Sequence, residues 1–310
     1  MSVGSRRETL AVCALCGCWY AVSSASNVVG KLVLSEFPYP LTLTLVQLLA
    51  VVVLSPAALA LGGVRRDPPP SPRYYCRVLM PLAVAKFLTT VFTQISIWKV
   101  PISYVHTVKA TTPLWTAALS WALLGERQPR AVCGALLLIA AGVVVASATE
   151  LRFEAAGLAA ALASAALLSL QHIYSKRVLR DTGVHPLRLL LRLSRLALAP
   201  LLPLWAGADA AAVWRGGASA RVAALLAADG ALAWLQALAA FSVLARVSPL
   251  AYAVASSAKR AAVVAASLLL LRNPAPPLNL AGMALAALGV LAYNRAKLAA
   301  RTSTAPLLPV

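Results

Sequence analysis

Long apolar runs recur along the whole chain, and most charged residues lie in the short segments between them. Each run is close to the ~20 residues that an α-helix needs to cross the hydrocarbon core of a bilayer. Ala, Leu, Val and Gly dominate the runs, which favours helices packed through small residues over an alternating β-barrel pattern. The pattern predicts an all-α integral membrane protein with ten transmembrane helices, near residues 10–32, 40–62, 77–98, 101–124, 130–149, 155–176, 187–206, 222–246, 249–271 and 277–295.

The composition agrees with this interpretation. Of the 310 residues, 61% are hydrophobic and only 12% are charged, and the mean hydropathy is +0.80. These values lie far outside those of a water-soluble globular domain. The first run follows Arg6 and Arg7, as the apolar core of a signal peptide would, but its length favours a retained helix.

The basic residues indicate the orientation of the chain. If the termini and the even-numbered loops share one side, that side carries Arg6, Arg7, Arg65, Arg66, Arg73, Arg77, Arg127, Arg130, Lys176, Arg177, Arg180, Arg188, Arg246, Arg295, Lys297 and Arg301. The other side carries Lys99, Arg152, Arg215, Arg221 and Arg272. This asymmetry predicts cytoplasmic termini. The net charge of +19 is therefore mainly a topology signal, with some attraction to anionic lipid, and it does not indicate nucleic-acid binding.

The cysteines do not form a pattern that indicates a metal site or a disulfide framework. They stand in or beside apolar runs, at Cys13, Cys16, Cys18, Cys76 and Cys133. Three cysteines on one helix without a fourth ligand nearby are better explained as small packing residues. We predict no metal and no cofactor.

Two segments half a chain apart resemble each other, which predicts an internal repeat. Both have a proline, a tyrosine three residues later and a glycine 33 residues after the proline; the pairs are Pro101 and Pro249, Tyr104 and Tyr252, and Gly134 and Gly282. Five helices per repeat would place the two copies in opposite orientations, as in transporters that work by alternating access. The expected organisation is a first half at 1–149, a second half at 150–296 and a cytoplasmic tail at 297–310.

Some basic residues lie well inside predicted helices. Lys259 and Arg260 are adjacent near the middle of the ninth helix, and Lys109 lies inside the fourth. Each central cation costs about 2.5–3.5 kcal/mol on insertion scales, so it needs a partner or a wet cavity. Nearly all of the nine acids lie in loops or at helix ends, with Asp229 the one possible exception. The simplest missing partner is an anionic ligand.

Phosphate or a phosphate ester fits this cationic set, because an Arg fork and ammonium groups together satisfy several phosphate oxygens. Tyr252 and Ser256 precede Lys259 by helical spacings, so they share part of its face, and His106 stands one turn before Lys109. All three are candidate ligands, although helix packing explains Tyr252 and Ser256 as well. A buried structural role remains the alternative for Lys259 and Arg260.

Several motifs resemble the sugar-phosphate/triose-phosphate translocators of the drug/metabolite transporter superfamily. They are PISYVHTVKATTPLW followed by GERQ, then QHIYSKRVLRD, SPLAYAVASSAKR and LRNP. The C-terminal half is most similar to solute carrier family 35, subfamily E. The resemblance implies two inverted five-helix halves, cytoplasmic termini, an antiporter that exchanges phosphorylated metabolites, and a Golgi or other secretory-pathway membrane.

The resemblance also implies a phosphate site. A threonine, a lysine and a lysine–arginine pair bind phosphate in the plastid translocators, and by motif they fall on Thr93, Lys109, and Lys259 with Arg260. Two positions depart from that pattern, since a tyrosine is replaced by Gln236 and a histidine by Thr90. The departures leave larger sugar phosphates, nucleotide sugars and phosphoenol compounds open as substrates.

Two other classes of protein fit the sequence less well than a transporter. An intramembrane enzyme would need a nucleophile or base beside an acid or metal set, and the three histidines and the peripheral acids do not supply one. A membrane scaffold that transports nothing would gain nothing from costly central cations. We therefore predict no catalytic residues, and a phosphorylated substrate and counter-substrate as the partners.

Overall fold

The computed structural model describes residues 3–64, 71–125, 127–216, 219–247, 249–272 and 275–304, and all regular structure within these ranges is helical. The described residues form ten stretches of continuous helix, which we label α1 (Val3–Glu36), α2 (Pro40–Leu61), α3 (Pro72–Lys99), α4 (102–124), α5 (Arg130–Ala148), α6 (Ala155–Thr182), α7 (Pro186–Gly216), α8 (Ala220–Arg246), α9 (Pro249–Leu271) and α10 (Pro277–Thr304).

Each helix coincides with one predicted span. Eight of the described helices, all except α4 and α9, are long and apolar enough to cross a membrane. The all-helical class and the membrane-spanning character are therefore confirmed, whereas ten crossings remain a prediction. Several helices run past the predicted limits, most of all α1 and α7; α10 also continues through Thr304, into the segment expected to be a tail.

Proline and glycine mark many of the helix ends. Proline is the first residue of five helices, at Pro40, Pro72, Pro186, Pro249 and Pro277. Its fixed φ suits a helix start, where its missing N–H has no partner to lose. Gly125 and Gly183 end α4 and α6 with φ of 67° and 62°, a left-handed conformation that glycine adopts without strain. These signals keep the connections between helices short.

The helices of the two halves pack in matched pairs. α1 packs along α8 and α3 along α6; α1 also contacts α9, and α4 contacts α6. α2 contacts α8, and α3 contacts α7. Exchanging each of α1–α5 with the helix five positions later converts each of these contacts into another one of the set. For example, the contact of α1 with α8 becomes the contact of α6 with α3. The remaining large contacts, α2 with α7, α4 with α9 and α5 with α10, join helices that the predicted repeat makes equivalent.

Glycine allows α5 and α10 to approach each other closely. A Cβ atom at Gly282 would lie 2.6 Å from the backbone nitrogen of Ala146, and one at Gly289 would lie 2.8 Å from that of Ile139. Backbone atoms cannot move aside as a side chain can, so larger residues would push the helices apart. Gly134, which the repeat pairs with Gly282, has no atom within 4 Å of its Cβ position, so the two glycines do not share a packing role.

We expect Gly282→Leu to lower the free energy of unfolding by about 1–3 kcal/mol, the usual cost of overpacking a tight contact. Gly134→Leu is the matched control, because the same side chain would enter open space on the partner helix α5. Thermal unfolding of the purified variants in detergent measures both effects. Equal midpoints for the two variants would contradict the close approach of α5 and α10.

Candidate functional site

A cavity of about 380 Å³ lies among α1, α2, α3, α4, α6, α8 and α9. The side chain of Tyr252, one of the eight residues predicted to bind substrate, lies outside the described residues. The other seven predicted residues all line the cavity; they are Thr93, His106, Lys109, Gln236, Ser256, Lys259 and Arg260. Thr90, at the position where the resemblance implied a histidine, lines it as well.

The main chain of α4 tightens into a 3-10 turn at Lys109–Thr111, and Pro113 explains why. Proline has no N–H, so the carbonyl of Lys109, four residues earlier, lacks its ordinary α-helical donor. This carbonyl instead accepts from the N–H and the hydroxyl of Thr112 and from Nη1 of Arg260, the last at 2.9 Å. The irregular turn therefore gives Arg260 an anchor that joins α9 to α4.

The side chain of Lys109 is held by Thr93. Its ammonium Nζ donates to the Thr93 hydroxyl at 2.8 Å, and that hydroxyl donates its own proton to the carbonyl of Thr89 at 2.7 Å. The hydroxyl thus keeps a lone pair turned toward Lys109. An ammonium has three N–H donors, and Thr93 occupies one of them. The remaining donors are available to an acceptor in the cavity.

Lys259 lies beside an aromatic ring of α1. Its Nζ is 5.5 Å from the centroid of the Trp19 ring, within the range of a cation–π contact. The ammonium of Lys259 makes no hydrogen bond to the described residues, and the Trp19 ring is its recorded contact among them. We call Lys109, Lys259 and Arg260 the cationic cluster.

Carboxylates do not neutralise the two lysines of this cluster. Neither Lys109 nor Lys259 has a carboxylate oxygen within 4 Å in the part of the chain that the structure describes. Two ion pairs lie at helix ends, Lys99 with Glu154 at 2.8 Å and Arg221 with Glu36 at 2.9 Å. The cavity therefore presents positive charge to whatever enters it.

Asp229 was the one acid that the sequence allowed inside the membrane, and it is fully buried in α8. Its Oδ2 accepts from Nε2 of Gln47 at 2.7 Å, and the Ser26 hydroxyl lies beside the same carboxyl group. A carboxylate could have balanced the cationic cluster, but Asp229 is bound by neutral groups instead. Asp229 is therefore not the counter-charge of Lys109 or Lys259.

His106 is 8% exposed and is held by α1. Its Nε2 lies 2.9 Å from Oδ1 of Asn27, whose Nδ2 donates to the carbonyl of Ser23 at 2.7 Å. Since the amide NH₂ is turned to Ser23, Oδ1 accepts and His106 carries its proton on Nε2. This bond orients the ring at the edge of the cavity, one helical turn before Lys109.

Several uncharged polar residues of the site were not predicted from the sequence. Asn27, Gln47 and Gln94 line the cavity, and Gln94 donates through Nε2 to Oε1 of Gln47 at 2.8 Å. The available signal was their position inside predicted apolar helices, where an amide needs a hydrogen-bond partner or a wet cavity. The ring of Trp19 carried no comparable signal.

Lys31 is a further intramembrane cation, and its partners are structural. Its Nζ donates to the carbonyls of Ile97, Trp98 and Val100, at 2.6, 3.1 and 3.2 Å. These carbonyls belong to the C-terminal end of α3, where a helix leaves acceptors without donors and carries partial negative charge. Lys31 therefore stabilises a helix end and does not belong to the cationic cluster.

The chain matches known transporters over nearly its whole length. The model of the Triose-phosphate Transporter family matches residues 10–294. Phosphoenolpyruvate/phosphate translocator 3, chloroplastic, of Oryza sativa subsp. japonica is 34% identical over 95% of this chain and 76% of its own length. Glucose-6-phosphate/phosphate translocator 1, chloroplastic, of Arabidopsis thaliana is 28% identical over 90% of this chain and 74% of its own.

A solved crystal structure shows the same fold. It is 19% identical in sequence, covers 94% of this chain and 99% of its own, and superposes with a TM-score of 0.53. The match to the family model extends from α1 to α10 and includes every residue of the cationic cluster. The chain belongs to the Triose-phosphate Transporter family.

Proposed function

We propose that the chain is a membrane antiporter that exchanges a phosphorylated metabolite for phosphate or a second phosphorylated compound. The observation that carries the proposal is that all three residues of the cationic cluster line one cavity. The two lysines of the cluster have no carboxylate partner among the described residues. The family is one of transporters, so the expectation that the chain is not an enzyme is confirmed. The relatives are named for exchange of a phosphorylated metabolite with phosphate, which supports the same exchange here.

In the proposed complex the phosphate group is bound by three charged donors. The Arg260 guanidinium can place two parallel N–H groups on two oxygens, and the ammonium groups of Lys109 and Lys259 act as point charges. Thr93 positions Lys109, while Ser256, Gln236 and His106 line the rest of the cavity. Tyr252 remains a predicted ligand. A volume of about 380 Å³ is at the small end for ligand pockets, which favours a sugar phosphate over a nucleotide sugar.

We further propose two inverted five-helix halves, 1–149 and 150–296, that alternate access to the cavity across ten spans. The matched packing of α1 with α8 and α3 with α6, and of the other exchanged pairs, supports the repeat. The cavity lies between the halves, since α4 contributes Lys109 and α9 contributes Lys259 and Arg260. This is the position at which inverted-repeat transporters bind substrate.

The finer assignment to solute carrier family 35, subfamily E, is also a proposal, and with it a Golgi or other secretory-pathway membrane with both termini in the cytoplasm. The basic asymmetry of the loops supports the orientation. The relatives compared are chloroplastic by name, so the two locations are alternatives. Imaging of a tagged chain against Golgi and plastid markers, with protease protection of the tags, decides between them.

The test of the proposed function is exchange in liposomes. We expect the purified chain to take up radiolabelled phosphate or a phosphorylated sugar when phosphate is enclosed, and to ignore the same sugar without its phosphate group. The control is Lys109→Gln, which removes one charge from the cationic cluster. Failure to transport any member of a panel of phosphorylated metabolites would favour the alternative, a membrane scaffold that does not transport.

A further inference from the structure

Helix α7 is longer than a membrane crossing requires. It contains 31 residues, whereas about 20 residues of helix cross the hydrocarbon core of a bilayer. The bilayer therefore covers only part of α7, and the distribution of charge decides which part. The first ten residues contain Arg188, Arg192 and Arg195, and the next 18 contain a single charged residue, Asp209, which is 7% exposed. The hydrocarbon core should cover this second, apolar part.

Arg195 and Trp214 lie at the two ends of the apolar part. Trp214 follows Arg195 by 19 residues, which is about 28 Å along a helix and close to the thickness of the hydrocarbon core. Trp214 is 91% exposed, and tryptophan is enriched at the interface between lipid and water. Leu202 and Leu204 lie between these ends with exposed side chains. This placement puts Arg195 at one edge of the hydrocarbon core and the residues before it in the headgroup layer.

The three arginines lie on one face of α7. They are spaced by four and then three residues, so they are neighbours along the same side of the helix. Arg195 is exposed, whereas Arg188 and Arg192 are partly buried. Other sides of the same segment pack into the protein through buried leucines, which are Leu187, Leu189, Leu191, Leu193 and Leu196. We call Arg188, Arg192 and Arg195 the basic strip.

The basic strip is anchored at one end and open at the other. Nη2 of Arg188 donates to the carbonyl of Val64, just beyond the end of α2, at 2.6 Å. Arg195 makes no hydrogen bond or ion pair through its side chain to the described residues. A guanidinium has five N–H donors, and its planar fork matches two oxygens of a phosphate. Arg195 therefore presents its donors at the depth where lipid phosphates begin.

We propose that the basic strip binds the phosphate group of an anionic phospholipid in the leaflet at the N-terminal end of α7. Arg192 lies about 4.5 Å from Arg195 along the helix axis, so both side chains reach the headgroup layer. The basic asymmetry of the loops assigns this end of α7 to the cytoplasmic side, where anionic lipids are enriched. The exposed apolar face that follows Arg195 can contact the acyl chains, which a soluble anion lacks.

The experiment measures binding of phosphatidylglycerol to the full chain in detergent by native mass spectrometry, with phosphatidylcholine as the neutral lipid. We expect tighter binding of phosphatidylglycerol, and about 25-fold weaker binding when Arg192→Gln and Arg195→Gln are combined, about fivefold for each charge. The matched control combines Arg152→Gln with Arg246→Gln, which removes the same charge from two exposed positions outside the basic strip. This control should bind phosphatidylglycerol as the wild-type chain does.

Three results would overturn the proposal. The first is an unchanged affinity for phosphatidylglycerol in the variant of the basic strip, and the second is equal affinity of the wild-type chain for the two lipids. The third is displacement of the lipid by an equal concentration of glycerophosphoglycerol, the same headgroup without acyl chains, because the strip would then bind a soluble phosphate. Should the double variant be recovered unfolded, Arg195→Gln alone decides, since that side chain makes no bond to the described residues and a fall of about fivefold is expected.

Discussion

Lys259→Gln is expected to slow phosphate exchange about 100-fold or more while leaving the free energy of unfolding nearly unchanged. Loss of one partner from a desolvated charge pair costs about 2–5 kcal/mol, and each 1.4 kcal/mol is a factor of ten. The fold loses little, because the recorded contact of the Lys259 ammonium among described residues is the Trp19 ring at 5.5 Å. Initial exchange rates in liposomes and thermal unfolding in detergent measure the two quantities.

Arg260→Gln should behave differently from Lys259→Gln. It removes the hydrogen bond from Nη1 to the carbonyl of Lys109, which Pro113 has deprived of its helical donor. The carbonyl keeps its bonds from Thr112, but a hydrogen bond from a charged donor contributes about 1.5–3 kcal/mol, so this variant should lose both transport and stability. The anchor on α4 therefore distinguishes Arg260 from Lys259, whose side chain makes no such bond.

Lys99→Gln is the control for removal of a positive charge. Lys99 pairs with Glu154 at a helix end, and both side chains are partly exposed. Such surface pairs contribute only about 0–1 kcal/mol, so neither transport nor unfolding should change much. If Lys259→Gln unfolded far more readily than Lys99→Gln, Lys259 would be a structural charge, and its assignment to phosphate would be wrong.

The apolar pattern was sufficient to predict the helices, because the bilayer sets their length and composition. It could not predict the turn at Lys109, since hydropathy does not register the loss of one backbone donor. Pro113 in the sequence did indicate that loss, although it did not reveal that Arg260, 151 residues from Lys109, would supply the replacement. The missing donor at Pro113 could be recognised in the sequence. The identity of Arg260 as a new donor depended on how α9 packs against α4.

The charged residues of the site could also be predicted, because the bilayer makes a buried charge costly. A lysine inside an apolar helix is costly enough to be conspicuous, so Lys109 and Lys259 were identified from the sequence. Glutamine costs less to bury, and the bond between Gln47 and Asp229 joins residues 182 positions apart. No spacing rule connects such positions, so this polar network emerged only from the packing of α2, α3 and α8.

The last prediction is obligatory exchange. The cationic cluster carries about three positive charges, and a phosphate ester adds about two negative ones, so the loaded cavity approaches neutrality and the empty one does not. Reorientation passes through an occluded state with little water, where two lysines without carboxylate partners among the described residues raise the energy by several kcal/mol. A barrier of that size slows the empty carrier about 100-fold or more.

The measurement is initial uptake of labelled phosphate into liposomes with and without phosphate inside. We expect uptake without internal phosphate to be slower by that factor, with no dependence on a sodium or proton gradient. A buried acid such as Asp229 could carry a proton in a proton-coupled transporter. Asp229, however, accepts a hydrogen bond from Gln47 and is not bound by the cationic cluster. Comparable rates into empty liposomes would show that the unloaded cavity reorients freely, and the electrostatic explanation of exchange would then be wrong.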